Sequence, residues 1–316
     1  MDEGDARVIL TVTLNTALDI TYQVPRLRAH TTHRVTEVTE RPGGKGLNVA
    51  RVLAALGHRT VVTGFAGGVT GTVLRERLAE LGGGVMDALV PIAGTTRRTV
   101  GVVDTGSGDS TQLNEPGPIV TTPEWSAFLG SYAELLREAS VVALCGSLPP
   151  GVPVGTYARL IREASAAGVP TLLDTSGEPL RRGIAARPDI VKPNADELAG
   201  LTGSTEPLRA ARDARRRGAR AVAASLGADG MLAVTPEGTW RAAPPRRLVG
   251  NPTGAGDSAV AGLLSGLVEG APWPDRLARA VALSAAAVRA PVAGEFDRAT
   301  YEELLGRVEV TEGPAA

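Results

Sequence analysis

Short apolar runs rich in β-branched residues alternate along the chain with longer segments in which apolar residues recur every three to four positions. The short runs predict strands at residues 61–65, 141–144, 171–174, 189–191 and 221–224. The longer segments predict helices, among them residues 72–81 and 156–167. Because each connection is about long enough for a crossover helix, this order predicts an α/β fold, with a mostly parallel central sheet flanked by helices on both faces.

Residues 11–40 and 95–115 break this alternation. Both stretches are rich in Thr and Val, contain turn residues and lack a helical period. We therefore expect them to form antiparallel strands separate from the main sheet. The chain has no internal repeat and no low-complexity linker, so we expect one domain over residues 1–316, with frayed tails before Ala6 and after about Val310.

Charge and composition exclude several classes of protein. With 33 basic and 34 acidic residues the net charge is −1, so the protein has no net positive potential that would attract nucleic acid or an anionic membrane. One cysteine, Cys145, and three histidines exclude a disulfide scaffold and make a zinc cluster improbable. The acidic residues 1–5 differ from a signal peptide, and no apolar run reaches 18 residues. We expect a soluble, cytoplasmic protein that binds neither nucleic acid nor membrane.

Lysine and asparagine are scarce, which makes their positions informative. Two of the 33 basic residues are lysines, Lys45 and Lys192, and the rest are arginines. A lysine in such a chain indicates a place that needs a compact ammonium group, such as a single phosphate oxygen. The five asparagines are residues 15, 48, 114, 194 and 251. All seven lie in segments that have the features of motifs.

The strongest of these segments is residues 251–258 (NPTGAGDS), a loop of small residues that opens an apolar helix. Backbone N–H groups from Gly254 to Asp257, at the positive end of the helix dipole, would form an anion hole for phosphoryl transfer. Asp257 is placed to orient an attacking hydroxyl and to accept its proton. The alternative is that Asp257 only caps the helix.

A second glycine loop, residues 42–53 (PGGKGLNVARVL), also leads into an apolar helix, but its spacing is not that of a Walker A loop. Gly43 and Gly44 would let the backbone approach a polyhydroxylated ligand, and Asn48 one turn later offers a donor and an acceptor. The alternative is that the two glycines only form a helix C-cap or a turn.

The third segment, residues 191–198 (VKPNADEL), follows a predicted strand. Lys192 could meet nucleotide phosphates, and Glu197 could bind the water shell of Mg²⁺, although Asn194 and Glu197 also fit a plain capping box. Residues 225–230 (SLGADG) predict a turn on the nucleotide side of the sheet.

Together these segments resemble the motifs of the PfkB (ribokinase-like) carbohydrate kinases in order and spacing, over about residues 8–310. Residues 11–19, Thr96 with Arg97, residues 114–118 and residues 146–149 resemble the branch of 1-phosphofructokinases and tagatose-6-phosphate kinases. Thr16 and Thr99 depart from that branch, where proline and asparagine are common. The resemblance implies a ribokinase-like fold with a small β-lid, built by about residues 11–40 and 95–115 and often shared in a homodimer.

The resemblance also implies roles for individual residues. Asp257 would be the catalytic base, and Gly254, Ala255 and Gly256 would form the anion hole. The sugar site would consist of Asp19, Gly43, Gly44, Lys45 and Asn48, with Arg97 on the phosphate that the substrate already carries. ATP would be bound by Lys192, Asn194, Ser225, Gly227 and Gly230, with Glu197 reaching Mg²⁺ through water.

The expected activity is ATP-dependent phosphorylation of a ketohexose phosphate to a bisphosphate. Fructose 1-phosphate, fructose 6-phosphate and tagatose 6-phosphate remain open as acceptors, and Asn251 followed by Pro252 favours the last slightly. The alternatives are a kinase for an unphosphorylated sugar or nucleoside, and a sugar-phosphate sensor without catalysis.

Overall fold

A computed structural model describes residues 7–313, so the acidic segment at residues 1–5 lies outside the described residues. Among the described residues the strands are β1 Val8–Thr13, β2 Ala17–Val24, β3 Glu37–Gly43, β4 Arg59–Gly67, β5 Val85–Asp87, β6 Val90–Ile92, β7 Arg97–Asp104, β8 Ser110–Asn114, β9 Ala139–Cys145, β10 Thr171–Asp174, β11 Ile190–Val191, β12 Ala221–Ser225, β13 Met231–Val234, β14 Thr239–Ala243 and β15 Glu309–Glu312. The helices are α1 Lys45–Ala55, α2 Gly68–Ala79, α3 Thr122–Leu135, α4 Thr156–Ala166, α5 Gly177–Ala185, α6 Ala195–Thr202, α7 Pro207–Arg216, α8 Ala255–Val268, α9 Trp273–Ala287 and α10 Arg298–Leu305.

The main sheet follows the predicted α/β pattern. Its strand order is β15-β14-β13-β12-β11-β10-β9-β1-β4-β5, with β6 also paired to β4. All pairs from β12 to β5 are parallel, and β13, β14 and β15 add an antiparallel edge. The predicted strands and the helix at residues 156–167 are confirmed, whereas α2 begins at Gly68, four residues before its predicted start.

Helices cover both faces of the main sheet, and each face has its own hydrophobic core. One core packs Phe128 and Tyr157, from α3 and α4, against the sheet. The other packs Leu264 and Leu283, from α8 and α9, against the opposite face. Strands such as β9 are therefore buried on both sides, which explains why they appear in the sequence as continuous apolar runs.

A second, four-stranded sheet with the order β3-β2-β7-β8 stands apart from the main sheet, and we call it the lid sheet. Two expectations about it were wrong. Residues 11–13 belong to β1 of the main sheet, so the first lid strand begins at Ala17. The two halves of the lid sheet also meet through a parallel pair, β2 with β7, although each half is an antiparallel hairpin. β2 and β7 belong to separate hairpins joined by a long stretch of chain, so no tight turn forces them to run antiparallel.

The end of the described chain also differs from expectation. The chain was predicted to fray after about Val310, but residues 309–312 form β15 on the edge of the main sheet against β14. Backbone pairing with an open edge holds this polar segment, which has little apolar patterning of its own. None of the helices within residues 7–313 combines the length and the apolar character needed to cross a membrane.

Candidate active site

The polar residues of the candidate site lie at the carboxyl ends of neighbouring parallel strands. Asp174 ends β10, Lys192 follows β11, and Ser225 ends β12, three strands that are adjacent in the sheet. An isolated parallel bridge joins Asn194 to Ser225 beyond the strand ends. Open α/β sheets bind ligands at this edge, because side chains from several strand ends converge there.

The start of α8 depends on glycine at residue 254. Gly254 has a φ of +84°, and a Cβ there would lie 2.7 Å from the Cα atom of Ala293. Only glycine combines this backbone conformation with this close approach. The turn places Asp257 in the first turn of α8, where the helix dipole favours negative charge.

The backbone N–H groups of this turn are partly available to an anion. The N–H group of Ala255 donates to the carbonyl of Pro252 at 3.2 Å. Within residues 7–313, the N–H groups of Gly256 and Asp257 have no backbone acceptor. An anion facing the first turn of α8 could therefore accept hydrogen bonds from these two groups.

Asp257 is 8% exposed and is held by Asn48 across the site. The Nδ2 atom of Asn48 donates to Oδ2 of Asp257 at 2.9 Å. Burial raises the pKa of Asp257 to about 6, an effect that Asp174 increases and that Lys45, Asn48 and Lys192 oppose. A carboxylate with this pKa is ionised at neutral pH and is a better proton acceptor than an exposed one.

The two lysines of the chain meet at a single carboxylate. Lys45 Nζ lies 3.2 Å from Oδ1 of Asp174, and Lys192 Nζ lies 3.6 Å from the same oxygen. Lys192 is 4% exposed, and its Nζ lies 3.7 Å from where a Cβ of Gly256 would stand. Burial opposes the charged form of Lys45, but Asp174, Asp257 and Glu197 outweigh it and raise the pKa of Lys45. Two ammonium groups thus flank the first turn of α8.

The glycine loop before α1 brings the lid sheet to this site. Gly44 precedes α1 with a φ of +111°, and a Cβ there would lie 2.7 Å from Cγ2 of Thr13. A Cβ on Gly43 would lie 2.1 Å from Cγ of Asp19. The absence of side chains at both positions lets Asp19 of β2 approach the backbone of the loop.

Asp19, Thr99 and Arg97 form a second polar group on the lid sheet. Asp19 pairs with Thr99 across β2 and β7, and burial raises the pKa of Asp19 to about 6, against a hydrogen bond from Thr99 and the charges of Arg97 and Arg51. Arg97 Nε donates to the Asn15 carbonyl at 3.3 Å. Thr99, which departs from the expected asparagine, thus serves as a hydrogen-bond partner of Asp19.

A cavity of about 550 Å³ opens beside the first turn of α8. Its lining includes Asn194, Ser225, Gly227 and Gly230, the residues expected to bind ATP, together with Ala255 and Gly256. Its other wall is largely apolar and includes Leu248, Val281 and Val288. The cavity thus combines polar strand ends and the first turn of a helix at one end with an apolar slot at the other, a lining typical of small-molecule sites.

The start of α6 has the geometry of a capping box, which was the structural alternative for this motif. Glu197 N–H donates to Oδ1 of Asn194 at 2.8 Å, and Asn194 N–H donates to Oε2 of Glu197 at 2.9 Å. The cap fixes the Glu197 carboxylate near Lys45, whose pKa it raises. Glu197 can therefore cap α6 and still be placed to interact with a ligand.

The donors at this edge suit Mg²⁺ better than a tightly caged metal. Oδ2 of Asp174 is buried and has no hydrogen-bond partner among the described residues. Within residues 7–313 there is no cluster of three or more His, Cys, Asp or Glu that could hold a metal. Mg²⁺ favours one or two carboxylates and keeps several waters, so Asp174 and Glu197 fit it.

Sequence reasoning missed Arg51, a cation on the buried face of α1. Its side chain is 5% exposed, and its Nη2 donates to Glu295 Oε1 at 3.0 Å. Its charge also acts on Asp19. An arginine three positions after Asn48, on an otherwise apolar helix face, was a signal that could have found it.

Comparison with known proteins gives a family match and several similar structures. A family model described as pfkB family carbohydrate kinase matches residues 12–298. The tetrameric inhibited form of phosphofructokinase-2 from Escherichia coli superposes with a TM-score of 0.85 at 30% identity, over 95% of this chain and 98% of that one. The same enzyme in complex with fructose-6-phosphate gives the same values.

Two further structures place the fold more broadly. A possible 1-phosphofructokinase from Thermotoga maritima superposes with a TM-score of 0.87 at 27% identity, over 98% of this chain and 100% of that one. Arabidopsis thaliana ribokinase, complexed with ribose and ATP, has a TM-score of 0.73 at 24% identity, over 95% of this chain and 99% of that one. The architecture is thus ribokinase-like.

Proposed function

The chain belongs to the pfkB family of carbohydrate kinases, and we propose that it transfers the γ-phosphoryl group of ATP to a hydroxyl of a ketohexose phosphate. The observation that carries this proposal is the Asp257 carboxylate, buried at the N-terminus of α8, hydrogen-bonded by Asn48 and acted on by the charges of Lys45 and Lys192. A base, cationic groups and N–H groups without a backbone acceptor in the described chain lie together at the carboxyl-terminal edge of the sheet. Together they meet the requirements of in-line phosphoryl transfer.

In the proposed reaction Asp257 accepts the proton of the acceptor hydroxyl, whose oxygen attacks the γ-phosphorus. A new P–O bond forms while the bond from the γ-phosphorus to the β–γ bridging oxygen breaks, and ADP leaves. Asn48 keeps the carboxylate oriented through its 2.9 Å hydrogen bond. Lys45, Lys192 and the N–H groups at Gly256 and Asp257 balance the charge on the phosphoryl oxygens.

The nucleotide would occupy the 550 Å³ cavity, with its base against the apolar wall and its phosphates toward Lys192 and Gly256. Asp174 and Glu197 would hold Mg²⁺ largely through water. When bound, the ion would neutralise part of the phosphate charge.

The position of Arg97 supports the proposal that the acceptor already carries a phosphate. Its guanidinium donates hydrogen bonds to the carbonyls of Asn15 and Glu115 and to the hydroxyl of Thr99, at distances of 3.3–3.4 Å, and these fix its orientation. Burial lowers the pKa of Arg97, an effect that Asp19 and Glu115 oppose, so its charge is only partly compensated. The Escherichia coli phosphofructokinase-2 bound to fructose-6-phosphate makes that sugar one of three acceptors to test, beside fructose 1-phosphate and tagatose 6-phosphate.

An ADP-release assay with MgATP and each of the three sugar phosphates tests the proposal directly. We expect turnover with at least one of them, well above turnover with unphosphorylated fructose, tagatose or adenosine. Preference for an unphosphorylated acceptor would favour the other kinase hypothesis. No ADP release with any acceptor would contradict catalysis altogether.

Arg97→Ala tests the phosphate subsite, with its neighbour Arg98→Ala as the matched control. Arg98 is exposed and pairs with Glu115 at 2.8 Å. Loss of Arg97 should raise KM for the sugar phosphate roughly tenfold or more and leave KM for ATP nearly unchanged, because a charge-assisted contact to one substrate is lost. Equal effects on both substrates, or the same effect in Arg98→Ala, would exclude this role.

We also propose that the lid sheet joins two copies in a homodimer. The strand registers put Tyr22, Val38, Val102 and Leu113 on one face, opposite in parity to Asp19 and Thr99. Val38 is 55% and Leu113 61% exposed. An exposed apolar sheet face is a typical contact between subunits. The tetrameric form of the Escherichia coli enzyme shows that a related chain associates.

A further inference from the structure

A second cavity, of about 510 Å³, shares two arginines with the Asp19 cavity but has no role in the proposed reaction. Its lining includes Arg41, Arg51, Leu81, Glu295, Phe296 and Arg298. Arg41 and Arg51 also line the smaller cavity that contains Asp19. Arg41 and Arg51 are therefore shared by the linings of both cavities.

The second cavity carries more positive than negative charge. Oε1 of Glu295 accepts hydrogen bonds from both Arg41 and Arg51, so one carboxylate serves two guanidinium groups. Arg41 Nε is buried with no partner among the described residues. Burial, together with the charge of Arg41, lowers the pKa of Arg51. Of the charged residues that line this cavity three are arginines and one is a glutamate, so positive charge exceeds negative charge there.

Arg298 completes the cationic rim of this cavity. One of its terminal nitrogens donates to the Ala55 carbonyl at the end of α1, and its guanidinium lies 5.9 Å from the centre of the Phe296 ring. The negative end of the α1 dipole is thereby covered. Leu81, 38% exposed, and Phe296 supply an apolar wall beside the charges.

Partly desolvated guanidinium groups with unused N–H donors bind planar or tetrahedral oxyanions, since the fork matches two oxygens at once. The apolar wall offers contact to a small organic body, and the volume is that of a metabolite site. We propose that this cavity binds a small metabolite through a phosphate or carboxylate group, in addition to the substrates of the kinase reaction.

The shared arginines give this site a means of affecting the kinase site. A bound anion would draw on the charge of Arg41 and Arg51, and the charge of Arg51 also acts on Asp19. With less positive charge acting on Asp19, its carboxyl group would be protonated in a larger fraction of the molecules. The sugar acceptor would then bind less tightly. This second step rests on the proposed function, whereas binding of the anion does not.

The binding test uses the full chain and calorimetric titration with two probes, citrate for carboxylates and inorganic phosphate for phosphates, in the absence of ATP and sugar. We expect one saturable site for at least one probe, and the probe that binds identifies the class. Arg298→Gln should weaken that binding about tenfold, since a charge-assisted contact is lost. Arg307→Gln, at an arginine two residues beyond the end of α10 and paired with Glu303, is the matched control.

A second pair of variants serves if Arg298→Gln does not fold. Leu81→Glu places a carboxylate at the cavity and should abolish binding, whereas Leu305→Glu changes a leucine of similar exposure, 37%, elsewhere. Failure of both probes to saturate, or equal affinity in each variant and its control, would overturn the site.

The coupling is measured separately in the active protein. A saturating probe should raise KM for the sugar phosphate severalfold in wild type but not in Arg298→Gln. An unchanged KM would overturn the coupling between the two sites. Whether the anion site exists would still be decided by the titration. A protein without kinase activity would refute the proposed function, while the titration would still decide the site.

Discussion

At the scale of the residue, burial sets the chemistry of two carboxylates. Asp257 and Asp19 both have their pKa raised to about 6, chiefly by burial, although cationic side chains lie close to each. The cations prevent a larger rise, so both groups remain ionised at neutral pH. The ionised form of each group serves the proposed reaction, whereas burial makes the protonated form more stable in the fold. Activity and stability should therefore depend on pH in opposite directions.

Asp257→Asn should lower kcat by about 10²- to 10⁴-fold while both substrates still bind, because only the proton acceptor is lost. It should also raise the free energy of unfolding at pH 7 by roughly 1–3 kcal/mol. The folded pKa of about 6 exceeds the ordinary 3.8, so ionising Asp257 costs stability as pH rises through this window. Denaturant unfolding at pH 7 and pH 4 measures the gain, which should disappear at the lower pH.

Asp213→Asn is the matched control for this variant. A hydrogen bond from Arg217 lowers the pKa of Asp213, so its amide variant should gain no stability at pH 7. Equal gains in the two variants would contradict the argument from burial.

The second prediction at this scale concerns the acid limb of kcat/KM for the sugar phosphate. Protonation of Asp257, the proposed base, or of Asp19, in the proposed sugar site, should each lower kcat/KM below about pH 6. The phosphate of the substrate also titrates near pH 6. The readout is therefore the ratio of kcat/KM in wild type to that in Asp19→Asn, in which the other ionisations cancel.

That ratio should fall about tenfold for each pH unit below 6, because it follows the ionised fraction of Asp19 alone. A ratio that does not change between pH 5 and pH 7 would show that the charge of Asp19 has no part in acceptor binding.

At the scale of the element, two loops that end in glycines of positive φ position the helices that carry Asn48 and Asp257. Gly44 and Gly254 precede α1 and α8, and each lets a helix begin with its first turn toward the strand ends. Asn48 and Asp257, one on each helix, then meet across 2.9 Å. The lid sheet contributes Asp19 through the close approach of β2 to Gly43.

Gly43→Ala should impair the sugar site rather than the fold. The new methyl group would stand 2.1 Å from Cγ of Asp19, so that side chain must leave its position. We expect KM for the sugar acceptor to rise at least tenfold, with KM for ATP and the melting temperature changed little.

Gly101→Ala, in the same lid sheet, is the control, because its nearest neighbour atoms would be at an ordinary 3.9 Å. Comparable losses in both variants would point to a general disturbance of the sheet.

At the scale of the whole molecule, the lid sheet stands apart from the main sheet and presents one face to the Asp19 cavity and the other to solvent. The exposed face carries apolar residues that no described element fully covers. The protein should therefore be a dimer at micromolar concentration, because burying this face removes apolar surface from water.

Val38→Asp combined with Leu113→Asp should give a monomer in light scattering after size exclusion, since two charges in each subunit would be buried at the contact. Val154→Asp, at a valine 40% exposed outside the lid, is the control. A monomeric wild type, or a double variant with the mass of wild type, would exclude the lid as the contact.

The sequence by itself determined the parallel sheet, the helices and the motif residues. Apolar runs flanked by glycine loops have few other solutions, and the motifs lie where strands end. It also indicated Lys45 and Lys192 through the rarity of lysine, and the structure brings both to Asp174. These features are local in the chain, so a single sequence can carry them.

The tertiary structure alone decided which distant residues meet. The parallel pairing of β2 with β7, the strand at residues 309–312 and the contact of Arg51 with Glu295 all join segments far apart in the chain. The raised pKa values of Asp19 and Asp257 also depend on burial, which no local pattern specifies. Long-range contacts and desolvation arise only once the chain has folded, so they cannot be obtained from spacing alone.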